Sequence, residues 1–506
     1  MSPIQQKINY LGKNVPVIFR TDTNNISLIN RRLTRESVQK KLVNQLGITQ
    51  NNIKSISVQP DLPIDKFFRN GNISLSLDTA LNLRGDKTAV VPSGAVDRGF
   101  AHIGMFEAIE MFLINPDIIV AASSGSIMGG IYSFYGDTDM LKKSAYNFVK
   151  NYSWQDVGDL YMNGLRDIKS CNGFISGEKL INSIGMTSRL MESDFKNTQK
   201  DFYVYAVDLN SGNGYVFCNY KEAYDKLVED PRFSSKTLDR KFTTKIFEGD
   251  LLLRDAMRAS IGMPGIFKPY KLYDINKREY QFTDGGIRQN CPVKTAASLI
   301  DVDKILAFNL GYSGQQVGGF MKCSPLDVFF QAQNIQGWNQ LEALNDPIFK
   351  GISVRVVNPG LFNIKTPQAF FRAQDLIISA RDTLEKLIET VTGRSHVSEK
   401  FFGKWSEGQI NDLGKRMSVE RWGGSDSNIY VIMDNDALIK KDTSEPVWQT
   451  LYSQDGGQLV PKKPGNNAAW MFKEMGRQFG WDNAILYSLW LLSNAAFLKI
   501  FFLKKN

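Results

Sequence analysis

The sequence predicts an α/β fold with a mainly parallel central sheet flanked by helices, and three local patterns carry that expectation. Thr88-Ala-Val-Val is a short apolar run stopped by Pro92-Ser-Gly, the profile of a buried strand ending in a turn. Ala101 to Ile114 follows with Met105, Phe106, Ile109, Phe112 and Leu113 at helical spacing. Asp117-Ile-Ile-Val-Ala-Ala is a second buried strand, and a helix leaves it near Ser126 and runs to Phe134. Strand, helix, strand, helix in close succession is how a parallel sheet with right-handed crossovers reads.

Further strands are expected at 202–207, 215–217, 280–283, 304–309 and 352–357, the first two flanking the hairpin-type loop Asn210-Ser-Gly-Asn-Gly. A long amphipathic helix is expected over 370–390. The sequence therefore divides into an N-terminal extension (1–84), a central α/β domain (85–390) and a C-terminal extension (391–506). The last of these holds Trp405, Trp422, Trp448, Trp470, Trp481 and Trp490 and ends in an apolar helix at about 484–503. A membrane span takes ~20 apolar residues, and Ser488, Ser493, Asn494 and Lys499 interrupt this stretch. A packed or membrane-surface helix is the better reading.

Hydrophobic residues at 42% and charged residues at 22% describe an ordinary globular chain, not a disordered or fibrous one. The net charge of +9 fits a solvated surface or attraction to anionic lipid. Lys and Arg are dispersed without a nucleic-acid fingerprint, so no nucleic-acid partner is expected. Cys171, Cys218, Cys291 and Cys323 lack the paired spacing of a zinc site or disulfide framework, which is compatible with a reducing compartment. The first residues, MSPIQQKINYLGKNVPVIF, lack the build of a secretory signal peptide. A cytoplasmic or peripheral membrane location is expected, with export by some other signal left open.

Only two histidines, His102 and His396, exist for any histidine-based chemistry. Ser124, in Ala122-Ser-Ser-Gly-Ser126, falls between the second strand and its helix, where a sharp turn would lift a hydroxyl above the sheet edge. Taken alone, a serine-rich helix cap explains the segment equally well. Asp284 follows the strand 280–283 and precedes Gly285-Gly286, a turn that would hold its carboxylate at the edge where open parallel sheets bind ligands. A plain turn is the competing reading. The loop Pro92-Ser-Gly-Ala-Val-Asp-Arg-Gly99 could present N–H groups to an anion, with Arg98 steadying a phosphate or the loop itself.

Together and in this order these blocks resemble the patatin-like phospholipase family. Arg98-Gly-x-x-His-Ile-Gly104 is similar to its Arg-Gly-x-x-His-Ile-Gly block, and Ser124 falls where its nucleophile elbow should be. Ala259-Ser260-Ile-Gly-Met-Pro264-Gly265-Ile-Phe267-x-Pro269 resembles its Ala-Ser-x-x-x-Pro-x-x-Phe-x-Pro segment, and Asp284-Gly-Gly-Ile-Arg-Gln-Asn290-Cys-Pro292 its Asp-Gly-Gly block with trailing Asn-x-Pro. The resemblance covers about 85–390. It implies a three-layer fold and a Ser124–Asp284 dyad without metal or other cofactor. It also implies hydrolysis of lipid acyl esters, and a structural role for His102.

On this reading an acyl-Ser124 intermediate forms with Asp284 as base, and N–H groups of Gly94, Ala95, Val96 and Gly125 hold the oxyanion. The expected partners are a phospholipid membrane surface and a protein activator, the second left open. Here the family's Gly-Gly-Gly-x-Arg-Gly loop reads Gly94-Ala-Val-Asp-Arg-Gly. Ala95 or Val96 forced to positive φ would each cost on the order of 1 kcal/mol or more, branched Val96 most. The alternatives are a lipid-binding relative with weak or no turnover, or a hydrolase of neutral lipid or acyl-thioesters.

Overall fold

Apolar runs too short for helices set the frame of the molecule. The computed structural model describes residues 5–10, 13–18, 57–58, 74–75 and 87–151 and, with short interruptions, 173–218, 244–311, 335–361 and 373–435. The apolar segment at 484–503 lies outside the described residues. No described helix is long and apolar enough to cross a membrane.

The body opens with β1 (Lys87–Pro92), α1 (Ala101–Met111), β2 (Ile118–Ala122), α2 (Ser124–Tyr135) and α3 (Thr138–Asn151). Next come β3 (Asp201–Asp208), β4 (Gly214–Phe217), β5 (Thr244–Ile246), α4 (Leu253–Ser260), β6 (Tyr270–Tyr273), β7 (Glu279–Thr283) and α5 (Val293–Ala297). It ends with β8 (Val302–Phe308), β9 (Ser353–Asn358), α6 (Ala373–Thr392), α7 (Val397–Phe402), α8 (Glu407–Gly414), β10 (Met417–Trp422) and β11 (Asn428–Asp434).

These eleven strands form one sheet in the order β6-β7-β3-β2-β1-β8-β9-β11-β10, with β4 and then β5 branching from the other edge of β3. Every pairing from β3 through to β11 is parallel. The outer pairings β6–β7, β7–β3 and β10–β11, and the branch β3–β4, are antiparallel. Parallel strands buried on both faces need continuous apolar sequence, which is why β1 and β2 read as unbroken runs. Successive residues feed opposite cores. Val90, Ile119, Val204, Leu306 and Tyr430 join one core with α1, α2, α4 and α6. Val91, Val120, Tyr205, Ala307 and Val431 join the other with α5, Leu344 and Phe349. The result is three layers, as expected from the sequence.

Close helix packing sets the position of the loop before α1. A β-carbon on Gly104 would collide with the Ile377 carbonyl of α6, so the backbones of α1 and α6 touch at that point. The helix expected at 370–390 is α6.

The boundary expected at residue 390 falls inside this body. β11 pairs in parallel with β9 over six residues, and β10 closes the edge. Arg355 on β9 is fully buried and locks the segment down. Its guanidinium donates to the carbonyls of Phe401, Gly403 and Asn428 and lies over the rings of Trp405 and Tyr430, 4.6 and 4.7 Å from their centroids. Burial lowers this guanidinium to about 9, and carbonyl oxygens and π faces solvate it in place of water. Trp405, placed by the sequence in the C-terminal extension, is therefore core.

Candidate active site

A strand has two hydrogen-bonding edges, and β4 occupies one edge of β3 from Val204 to Val207. β2 and β7 must share the other. β2 takes Asp201–Tyr205, and β7 arrives antiparallel at Val207 and Asp208. The C-terminal ends of β2 and β7 thus meet head-on, and the residues just beyond them, Ser123 and Asp284, come together.

The Ser123 hydroxyl donates to Asp284 Oδ2 at 2.8 Å. The backbone at Ser123 has φ 51° and ψ −134°, a conformation non-glycine residues rarely adopt and one that costs about 1–3 kcal/mol. Long-range contacts hold it there. The Ser123 N–H donates to Ser260 Oγ at 2.8 Å, and that hydroxyl donates to the Tyr205 carbonyl at 2.7 Å. The Ser126 hydroxyl closes on the Ser123 carbonyl at 2.6 Å. A strained serine between a buried strand and the first residue of a helix has the backbone form of a nucleophile elbow.

Ser124, the residue expected from the sequence, does not stand opposite Asp284. It is the first residue of α2, already helical, and its Oγ accepts the Ala95 N–H at 2.9 Å. The helix expected near Ser126 begins two residues earlier, which moves the elbow back to Ser123. Read around that residue, Ala121-x-Ser123-x-Gly125 keeps glycine two positions after the serine, a sequence signal that could have placed the elbow there. Gly125 is required there, since a β-carbon would strike the Pro92 carbonyl.

Asp284 is 6% exposed. Its Oδ1 accepts the Gly286 N–H at 2.7 Å, and its own N–H donates to the Gly262 carbonyl at 2.9 Å. Burial raises the carboxyl from 3.8 to about 6, against the opposing bonds from Ser123 and Gly286. At neutral pH it is ionised and is a stronger base than an exposed carboxylate.

The loop before α1 lies against this pair. A β-carbon on Gly94 would come within 2.7 Å of Ser123 Cβ, so glycine is needed beside the hydroxyl. The Gly94 N–H donates to the Asn290 carbonyl at 2.8 Å, and Asn290 Nδ2 donates back to the Gly94 carbonyl at 3.0 Å. Ala95 has φ −160°, ordinary extended backbone, whereas Val96 sits at φ 54° and is 39% exposed. Arg98 is buried, and its N–H donates to the Ala95 carbonyl at 3.1 Å. Of the four expected oxyanion donors, Gly94 and Ala95 therefore spend their N–H groups within the protein. Sequence reasoning missed Ser123 as the serine facing Asp284 and gave no role to Ser260 or Asn290.

His102 is fully buried on α1, its Nε2 2.8 Å from the Ser93 carbonyl. A carbonyl only accepts, so Nε2 carries the proton. Desolvation lowers the imidazole to about 4, which keeps it neutral. His396 is exposed, at the start of α7. Among the described residues no cluster of His, Cys, Asp or Glu fits a metal ion. Cys218 and Cys291 are buried.

The family described as patatin-like phospholipase matches residues 90–297. Lysophospholipase NTE1 of Kluyveromyces lactis is 30% identical over 134 residues, 26% of this chain and 9% of that protein. The protein of the same name from Cryptococcus neoformans var. neoformans serotype D is 41% identical over 63 residues, 12% of this chain and 4% of that protein. The chain thus spans less than a tenth of the length of the curated relatives it matches. Among solved structures, VipD from Legionella pneumophila is similar at a TM-score of 0.27 and 11% identity, over 60% of this chain and 66% of that one. Residues 90–297, the stretch that holds Ser123 and Asp284, are thus similar to the patatin-like phospholipase family.

Proposed function

We propose that this protein is a lipid acyl hydrolase of the phospholipase A type, with Ser123 as nucleophile and Asp284 as its base. The observation that carries the reading is the 2.8 Å bond from a strained elbow serine to a buried carboxylate. Ser123 Oγ attacks the ester carbonyl carbon while its proton passes to Asp284. The leaving alkoxide takes that proton, and an acyl-Ser123 ester is left. Asp284 then draws a proton from water as the water attacks the acyl carbon, and fatty acid departs with Ser123 restored.

The oxyanion needs donors that the native fold does not consume. The first N–H groups of α2, at Ser124 and Gly125, have no acceptor within their helix and lie at its positive dipole end. Gly94 and Ala95 would contribute only after releasing Asn290 and Ser124. That engagement favours a second reading, a lipid-binding relative that turns over weakly or needs a protein activator to open the loop.

Fatty-acid release from mixed phospholipid vesicles tests both. Release by the wild type, lost in Ser123→Ala and Asp284→Ala and retained in Ser124→Ala, is the expected result. Loss in Ser124→Ala with retention in Ser123→Ala would overturn the dyad. No release by the wild type, even with eukaryotic cell extract as a source of activator, would favour the lipid-binding reading.

A further inference from the structure

The hairpin β6–β7 projects beyond the sheet on the side where Ser123 and Asp284 meet. Thr283 pairs with Val207 and Phe282 with Asp208, the last residue of β3. The residues before Phe282 therefore run past the end of β3. Gln281 is level with Leu209, whose N–H it accepts at 2.8 Å. Glu279 stands four residues from Thr283, on the order of 13 Å farther out at strand rise, and the turn 274–278 lies beyond it.

The turn is rigid. Asp274 Oδ1 accepts the N–H groups of Asn276 and Arg278 at 2.8 and 2.9 Å, and Lys277 takes a left-handed φ of 61°. Its apolar side chains nonetheless face outward. Ile275 is 68% exposed, Tyr273 56%, and Leu209 at the hairpin's base 48%. The charges around them are unbalanced in sign. Glu279 is paired with Lys271 at 3.0 Å, and Asp274, bonded into the turn, keeps its negative charge there. Lys277 and Arg278 are exposed at the tip, Arg278 lying 5.3 Å from the Tyr280 ring centroid, and together they outweigh Asp274. An exposed isoleucine and tyrosine beside cationic side chains, on a pre-ordered turn, match the chemistry of a bilayer interface with anionic headgroups.

We propose that the β6–β7 tip, through Tyr273, Ile275, Lys277 and Arg278, docks the protein on an anionic lipid surface and brings the Ser123 edge of the sheet to the bilayer. The choice of lipid as occupant rests on the hydrolase reading, and the test separates the two.

The full chain is sedimented with phosphatidylcholine vesicles with and without phosphatidylserine, beside Ile275→Asp and the double variant Lys277→Glu/Arg278→Glu. Turnover of a soluble short-chain p-nitrophenyl ester is read in parallel. Ile275→Asp is expected to weaken vesicle binding about tenfold or more. The double variant should weaken binding to anionic vesicles about tenfold or more while changing neutral vesicles little. Ester turnover should match the wild type in both, since the tip lies away from Ser123. A wild type that does not sediment with vesicles, or variants that bind as it does, would overturn the docking surface. Hairpin-dependent binding without ester turnover would leave docking standing and remove the hydrolase reading.

Discussion

Replacing Asp284 by Asn should abolish hydrolysis and make the folded protein more stable at alkaline pH. The carboxyl is buried and raised from 3.8 to about 6, so the folded state holds its proton more tightly than the unfolded chain does. A raised carboxyl favours folding fully below its unfolded value of 3.8, and that contribution is lost as pH rises through about 6. Above pH 6 the fold carries a desolvated anion, worth about 3 kcal/mol against stability. Asparagine removes the charge and keeps both contacts: its Oδ1 can accept from the Gly286 N–H, and its Nδ2 can donate to Ser123 Oγ.

Asp284→Asn is therefore expected to gain about 1–3 kcal/mol at pH 8, a rise of a few degrees in thermal midpoint, with the advantage shrinking between pH 6 and pH 4. Melting curves of both proteins at pH 8, 6 and 4.5 provide the measurement. A variant less stable than the wild type at pH 8, or equally advantaged at pH 4.5, would refute the account of Asp284. The same titration predicts that kcat/KM of the wild type on a soluble ester rises with pH through about 6, because only the ionised carboxylate accepts the Ser123 proton.

Two further substitutions and a truncation separate the roles of neighbouring segments. Ser124→Ala leaves the Ala95 N–H buried without its acceptor, and denaturant unfolding should show a loss of about 1–3 kcal/mol. Val96→Gly relieves a branched residue at φ 54°, worth about 1–2 kcal/mol, against glycine's extra unfolded-state entropy of about 0.5–1 kcal/mol. A net gain of up to about 1 kcal/mol in the same assay is expected. A chain cut after residue 390 loses β10 and β11 and uncovers Arg355, and should yield no soluble folded protein; a cooperative melt from it would place the boundary back at 390.

The central fold was legible because parallel strands buried on both faces leave a local mark. Thr88–Val91 and Asp117–Ala122 needed no knowledge of their partners to be recognised. β11 has an equally apolar core, Ile-Tyr-Val-Ile, yet its place was not legible, because its partner β9 lies some seventy residues earlier and nothing local announces that pairing. Arg355 was still less visible. A lone arginine in Ser353-Val-Arg-Val-Val357 reads as an interruption in a strand, and only the folded chain brings Trp405 and Tyr430 over it.

The site was legible to within one residue, and that residue decides the chemistry. Ala121-Ala122-Ser123-Ser124 doubles both members of the elbow, so composition supports either serine almost equally. What separates them is long-range. The last β2 pairing, Ala122 with Tyr205, fixes where the strand ends, and the hydroxyl of Ser260, anchored on the Tyr205 carbonyl of β3, holds the next N–H in its strained turn. Once the turn is at Ser123, Ser124 must be helical, and its hydroxyl can reach only the loop at Ala95. Two adjacent serines thereby take opposite tasks. One donates its hydroxyl to a buried carboxylate, and the other accepts the Ala95 N–H, which on the proposed mechanism an oxyanion would otherwise use. If Ser124→Ala both lowers stability and speeds turnover of a soluble ester, the second task is restraint; if turnover falls with stability, the bond to Ala95 serves to hold the loop in its working shape.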